Sequence, residues 1–235
     1  MENSIYKTYK EEIELINSND NVNSILLVGS SKNINFELDY NFINDIDIFI
    51  IVKEGPYQER IIKERNGIEF DINYFSIKGV YKFIEEKEYF FLKEMKDAKV
   101  IYNKDKNLNN IISLCRVEYN KGPKLLSEDE KKFIKIETLS KLERLKVKDK
   151  YEDFEYKFLI NVYLKDLIIA FFNINNKWVP KDKKLIATIK QEDIVLYDYL
   201  VKKVNQNYLY EDLFNVYKYI FKDINITTKD IKITY

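Results

Sequence analysis

At 235 residues, 46% apolar and 33% charged, the chain can build one large or two small cores, which excludes a disordered or low-complexity protein. Lys and Arg (39) balance Asp and Glu (39), which disfavours sequence-independent nucleic-acid binding, a mode that needs surplus positive charge. With no histidine and one cysteine, Cys115, histidine triads, histidine-ligated zinc and internal disulfides are excluded, and proton transfer falls to carboxylates, Lys or Tyr.

Ile5, Tyr9, Ile13 and Ile16 recur at helical intervals and predict an amphipathic helix over 3–17. "SILLVG" (24–29) reads as a buried strand ended by Gly29. After a polar loop, "DIDIFIIV" (45–52) reads as a second strand, rich in β-branched residues. "ERIIKERNGIEFDINYFS" (59–76) reads as a hairpin, because Asn66-Gly67 supplies the positive φ angles of a tight turn. Residues 78–96 are helix-patterned, "AKVIY" (98–102) reads as a short edge strand, and 105–119 as another helix.

Beyond "NKGPK" (120–124) the pattern is helical across 127–224, with "NINNKWVPKDKK" (173–184) as its clear interruption. Ser127 followed by Glu130 has the spacing of a capping box. The run "KLERLKVKDKYEDFEYK" (141–157) reads as a solvated helix face. The expected organisation is α+β: a mixed β-sheet flanked by helices over 1–121, then a helical bundle over 122–235. Charge divides the same way, with 16 basic and 21 acidic residues up to Asn120 and 23 and 18 from Lys121 onward. One cysteine and no signal-like N-terminal stretch predict a cytoplasmic protein. "LIIAFF" (167–172) is too short to cross a bilayer, so no membrane partner is expected.

Two carboxylates inside an apolar strand demand compensation. Residues two apart in a strand share a side, so Asp45 and Asp47 project together while Ile46, Ile48 and Ile50 face away. In "GIEFDINYF" (67–75) the same alternation puts Ile68, Phe70 and Ile72 on one face and Glu69, Asp71 and Asn73 on the other. If the strands are neighbours, Asp71 joins Asp45 and Asp47. A divalent cation would relieve the repulsion, and oxygen-only ligation favours Mg²⁺ or Mn²⁺. At the end of the preceding strand, Gly29 lets the backbone approach a phosphate, and Ser30 can donate to its oxygens.

This ordered set resembles the nucleotidyltransferase superfamily that includes DNA polymerase β and the small antibiotic-modifying nucleotidyltransferases. The likeness lies in "LLVGSS", "NDIDIFIIV" and "IEFDINYF", about the first third of the chain. It implies that Gly29 and Ser30 bind triphosphate and that Asp45 and Asp47 hold two metal ions. Asp71 would complete the metal site and help activate an acceptor hydroxyl; Glu69 is a further candidate base. "LIIAFFNINNKWVPKDKKLIATI" (167–189) is similar to a helix–loop–helix of small-molecule nucleotidyltransferases, with Trp178, Pro180 and Lys183 at its marked positions and Lys183 reaching toward phosphate. Ser31 and Asn44 depart from the family's usual Arg and Ser, and the connection from Ser30 to Asp45 is long.

The activity implied is metal-dependent transfer of a nucleoside monophosphate from a nucleoside triphosphate to a hydroxyl of a small molecule, with an aminoglycoside-like antibiotic as the favoured acceptor. Protein or RNA acceptors are alternatives. A different class is a nucleotidyltransferase-fold antitoxin or regulatory binding protein. Retention of all three aspartates argues against it, and so does the absence of the histidine that the partnering helical toxins carry. A polymerase is disfavoured by zero net charge and the lack of a basic, aromatic-studded tract.

Overall fold

The computed structural model describes residues 4–36, 43, 45–201 and 209–226, and the chain divides into two compact units, Met1–Lys121 and Gly122–Tyr235. In the first, α1 (Ser4–Asn17) leads to β1 (Val22–Leu27), a 3-10 turn (Ser31–Asn33) and β2 (Asp45–Val52). A hairpin of β3 (Gln58–Arg65) and β4 (Ile68–Ser76) follows, then α2 (Ile77–Glu85), α3 (Tyr89–Met95), β5 (Lys99–Asn103) and α4 (Leu108–Lys121). The five strands form one mixed sheet in the order β3-β4-β2-β1-β5. β2 and β4 run parallel; β1 pairs antiparallel with both β2 and β5, and β3 antiparallel with β4.

Strand alternation separates the two faces of this sheet. Ile46, Ile48 and Ile50 of β2 and Ile68, Phe70 and Ile72 of β4 are buried with Tyr9 and Ile16 of α1. Burial of that continuous apolar layer is the main source of stability for the unit. On the opposite face Phe49 stacks on Phe91 of α3 and Phe75 meets it edge-on, at ring-centroid distances of 6.1 and 4.9 Å. The sheet is therefore sandwiched, and the acidic ends of β2 and β4 belong to the face that carries α2 and α3.

The Asn66-Gly67 turn has φ of 52° and 78°, as a two-residue hairpin loop with right-twisted strands requires. The helical stretch expected over 78–96 is broken into α2 and α3 at Lys87, which adopts φ 54°. There the Lys87 N–H donates to Ile84 O at 3.2 Å and the Glu88 N–H to Phe83 O at 2.9 Å. Orphan carbonyls at the end of α2 are thus satisfied by a left-handed residue that happens not to be glycine.

The second unit comprises α5 (Glu128–Arg144), α6 (Asp153–Ile174), α7 (Leu185–Glu192), α8 (Ile194–Val201) and α9 (Tyr210–Ile220), with 3-10 turns at Lys148–Lys150 and Asp182–Lys184. Its core includes Leu142, Leu167, Phe172, Ile189, Leu196 and Leu213. The capping box forms: Glu130 N–H donates to the Ser127 hydroxyl at 3.3 Å and Ser127 N–H to the Glu130 carboxylate at 2.7 Å. The run 141–157, expected as one helix face, is not one helix. α5 ends at Arg144, with the buried Leu145 as its C-cap, and Glu152 opens α6 through its N–H bond to Glu155 at 3.1 Å. No described helix is long and apolar enough to cross a membrane.

One close contact seats the hairpin. A Cβ added at Gly79, in the first turn of α2, would lie 2.0 Å from the carbonyl oxygen of Tyr57, the residue before β3. Backbone cannot yield as a flexible side chain can. Gly79→Ala is expected to cost about 1–3 kcal/mol through overpacking. Urea melts check this, and an unchanged midpoint would contradict the contact.

Candidate functional site

The parallel register of β2 and β4 sets Asp45 opposite Glu69, Asp47 opposite Asp71 and Phe49 opposite Asn73. All six therefore project to one face of the sheet. Asp45 is exposed and Asp47 partly buried, while the Asp71 side chain is 20% exposed. Ile46 and Ile48 between them are fully buried on the other face. The acids are held by strands whose alternate residues are locked into the core.

Antiparallel pairing brings the end of β1 beside the start of β2, with Leu27 opposite Ile48. The next residue, Val28, donates its N–H to Asp47 O at 3.1 Å. The chain then leaves the sheet at Gly29, with φ +59°, over the Asp47 side chain: an added Cβ would lie 2.2 Å from Asp47 Oδ2. Glycine is required twice here, for its backbone angle and for its missing side chain. Ser30 follows, exposed, as the N-cap of the 3-10 turn Ser31–Asn33. Ser31 is buried, and its hydroxyl accepts the Asp47 N–H at 2.9 Å. Ser31 thus supports the acidic strand directly.

Two further groups complete the neighbourhood. Arg60 of β3 donates from Nε to Asp71 Oδ1 at 2.8 Å and from Nη2 to Oδ2 at 2.7 Å, a two-pronged pair. Asn73 Nδ2 donates to Asp71 Oδ1 at 3.2 Å, and Gln58 Nε2 to Asn73 Oδ1 at 2.8 Å. The hydrogen bond with Asp71, then the Asp71 charge, raise the Arg60 pKa above its ordinary value, with Asp47 and Glu69 adding to the effect. Glu94 of α3 accepts the Gly29 N–H at 2.9 Å, bringing another carboxylate to the Gly29 loop beside Asp47.

Asp45, Asp47 and Asp71 share a face, but among the described residues no group of three or more Cys, Asp and Glu side chains is gathered closely enough to hold a metal ion. Asp71 faces Arg60 instead. The donor set is nonetheless all oxygen, as a hard divalent cation prefers, and Gly29 leaves room at Asp47 that a side chain would fill. In the second unit Lys183 is exposed on the turn Asp182–Lys184, Trp178 is partly buried and Pro180 buried. Asn44 lies outside the described residues.

Sequence patterning alone passes over Arg60, Glu94 and the supporting role of Ser31. A signal for Arg60 exists: counting back from the two-residue turn pairs Arg60 with Asn73, as observed, one step from Asp71. Glu94 has no local signal, since its position depends on how α3 packs.

No family model and no curated protein matches the sequence. Among solved structures the chain is similar to a nucleotidyltransferase-like protein from Exiguobacterium sibiricum, with 9% identity, a TM-score of 0.49, and coverage of 93% of this chain and 75% of that one. Roles for individual residues therefore come from this chain's own geometry.

Two glycines separate the effects at Gly29. Gly67 also has positive φ, 78°, but an added Cβ there meets nothing within 4 Å. Gly67→Ala should cost only the conformational penalty, roughly 1–2 kcal/mol. Gly29→Ala should cost more, because the Asp47 carboxylate must also move. Equal losses in denaturant melts would show that Asp47 yields freely.

Proposed function

We propose that the chain is a divalent-metal-dependent nucleotidyltransferase, moving a nucleoside monophosphate from a nucleoside triphosphate to a hydroxyl of a small molecule. The observation that carries this reading is the parallel pairing of Asp47 with Asp71, with Asp45 on the same face and Gly29 against the Asp47 carboxylate. In this reading Asp45, Asp47 and Asp71 hold Mg²⁺ or Mn²⁺, which would neutralise charge on the reacting phosphate oxygens. Gly29 and Ser30 bind the triphosphate through the loop backbone and the exposed Ser30 hydroxyl. The acceptor oxygen forms a bond to the α-phosphorus, the α–β bridging bond breaks, and pyrophosphate leaves; Asp71 takes the acceptor's proton. A cationic, aminoglycoside-like acceptor suits the acidic balance of residues 1–120, and Lys183 is assigned to phosphate.

A second reading, a regulatory binding protein of the same fold, is favoured by one observation: Asp71 is already neutralised by Arg60. Incubation with α-labelled nucleoside triphosphates, Mg²⁺ and a panel of hydroxyl-bearing drugs separates the two. Labelled adducts support the transferase. Adduct-free protein supports the regulator, and no nucleotide binding with either metal removes the transferase.

Asp47→Asn keeps the shape while removing a charge that the metal needs. Transfer should fall about 10²-fold or more, because the interaction lost is made chiefly in the transition state. Melting in EDTA should stay level or rise, since a repelling carboxylate has gone. A large fall in melting temperature would mean that Asp47 serves as a structural counter-ion.

Lys183→Ala should weaken triphosphate binding by roughly tenfold, the effect of losing one charge-assisted contact. Isothermal titration measures it. Unchanged affinity would return Lys183 to the solvated surface.

A further inference from the structure

Resting on the metal-site reading above, we infer that Arg60 and the divalent cation are alternative partners of Asp71, so that loading the site requires this guanidinium to let go. Both Asp71 oxygens are engaged by the Arg60 fork, and Oδ1 also accepts from Asn73. Three of the roughly four acceptor sites on the carboxylate are thereby used. Little remains for a cation that takes oxygen ligands at bonding distance.

Three features suit Arg60 to the role of a displaceable counter-ion. Its side chain is 55% exposed, so it can move into water at small cost. It lies on β3, at the edge of the sheet, with no further strand among the described residues to confine it. It is also distinct from the other cations of its strand: Lys63 and Arg65 project to the opposite face, where Lys63 Nζ lies 2.6 Å and Arg65 Nη1 3.0 Å from the buried Glu12 carboxylate. Arg60 is thus the β3 cation on the acidic face. Before metal binds, it offsets the repulsion between Asp71 and Asp47; when metal binds, that service is redundant.

Titration of the full-length protein with Mn²⁺, without nucleotide, tests the competition. Arg60→Gln removes the charge and the fork, and should tighten Mn²⁺ binding about two- to fivefold, as expected for loss of an exposed, well-formed ion pair that taxes the binding-competent state. Arg60→Lys keeps the charge but loses the two-pronged geometry, and should fall in between. In an Asp71→Asn background the residue at position 60 should no longer matter. Thermal melts in EDTA confirm that each variant is folded.

Equal Mn²⁺ affinities for wild type and Arg60→Gln would overturn the inference. Weaker binding by the variant would also overturn it, by showing that Arg60 positions Asp71 for the metal. If Arg60→Lys tracks wild type while Arg60→Gln tightens, long-range charge is responsible, and the shared-ligand competition fails. Absence of Mn²⁺ binding in every variant would remove the metal-site reading itself, an outcome distinct from equal affinities.

Discussion

Parallel pairing of β2 with β4 is the constraint from which the N-terminal unit takes its character. It sets Asp47 opposite Asp71 and, by the same alternation, sends Ile46, Ile48, Phe70 and Ile72 into the layer beneath α1. A one-residue slip would exchange the two faces, burying carboxylates among isoleucines and exposing the core. The apolar residues therefore enforce the placement of the acidic ones, although they touch nothing that the acids would bind. Gly29 and Ser31 depend on the same arrangement, since both are set by where β1 ends beside Asp47.

Electrostatic compensation is assembled from several modest contributions. Asp71 has Arg60 and Asn73, Asp45 has solvent, and the Asp47 backbone is tied to Val28 and Ser31. Glu94 draws on the Gly29 N–H rather than on a cation. Exposed pairs of the Arg60–Asp71 kind contribute only about 0–1 kcal/mol. They suffice to make the acidic face tolerable without making it rigid. A deeply buried triad of ions would be far costlier to rearrange.

Much of this was legible in the chain, because its strands follow a strict two-residue period and its hairpin carries an Asn-Gly turn. The faces of β2 and β4 and the Ser127 capping box follow from local chemistry, whereas Asp71 joins Asp45 and Asp47 only through the pairing of the two strands. What escaped depended on tertiary packing. The break at Lys87 uses a residue with no sequence preference for positive φ, and α5 ends at Arg144 with no glycine or proline over 145–151 to mark it. Arg60 lies in the first strand of the hairpin, where a role toward Asp71 shows only after the register is counted out. Glu94 reaches Gly29 across 65 residues of chain, a distance over which periodicity carries no information.

β3 has one more consequence for the molecule. It stands at the edge of the sheet, where unpaired backbone groups invite a strand from another molecule. Five of its eight residues, Glu59, Arg60, Lys63, Glu64 and Arg65, are charged. Docking a foreign strand there would bring these side chains against a new neighbour and strip their water. Ile61 and Ile62, both exposed, would otherwise make this edge adhesive. The charges that neutralise Glu12 and Asp71 within the fold thus also protect the sheet from growing by aggregation, and neutralising several of them together would trade colloidal stability for a sticky rim.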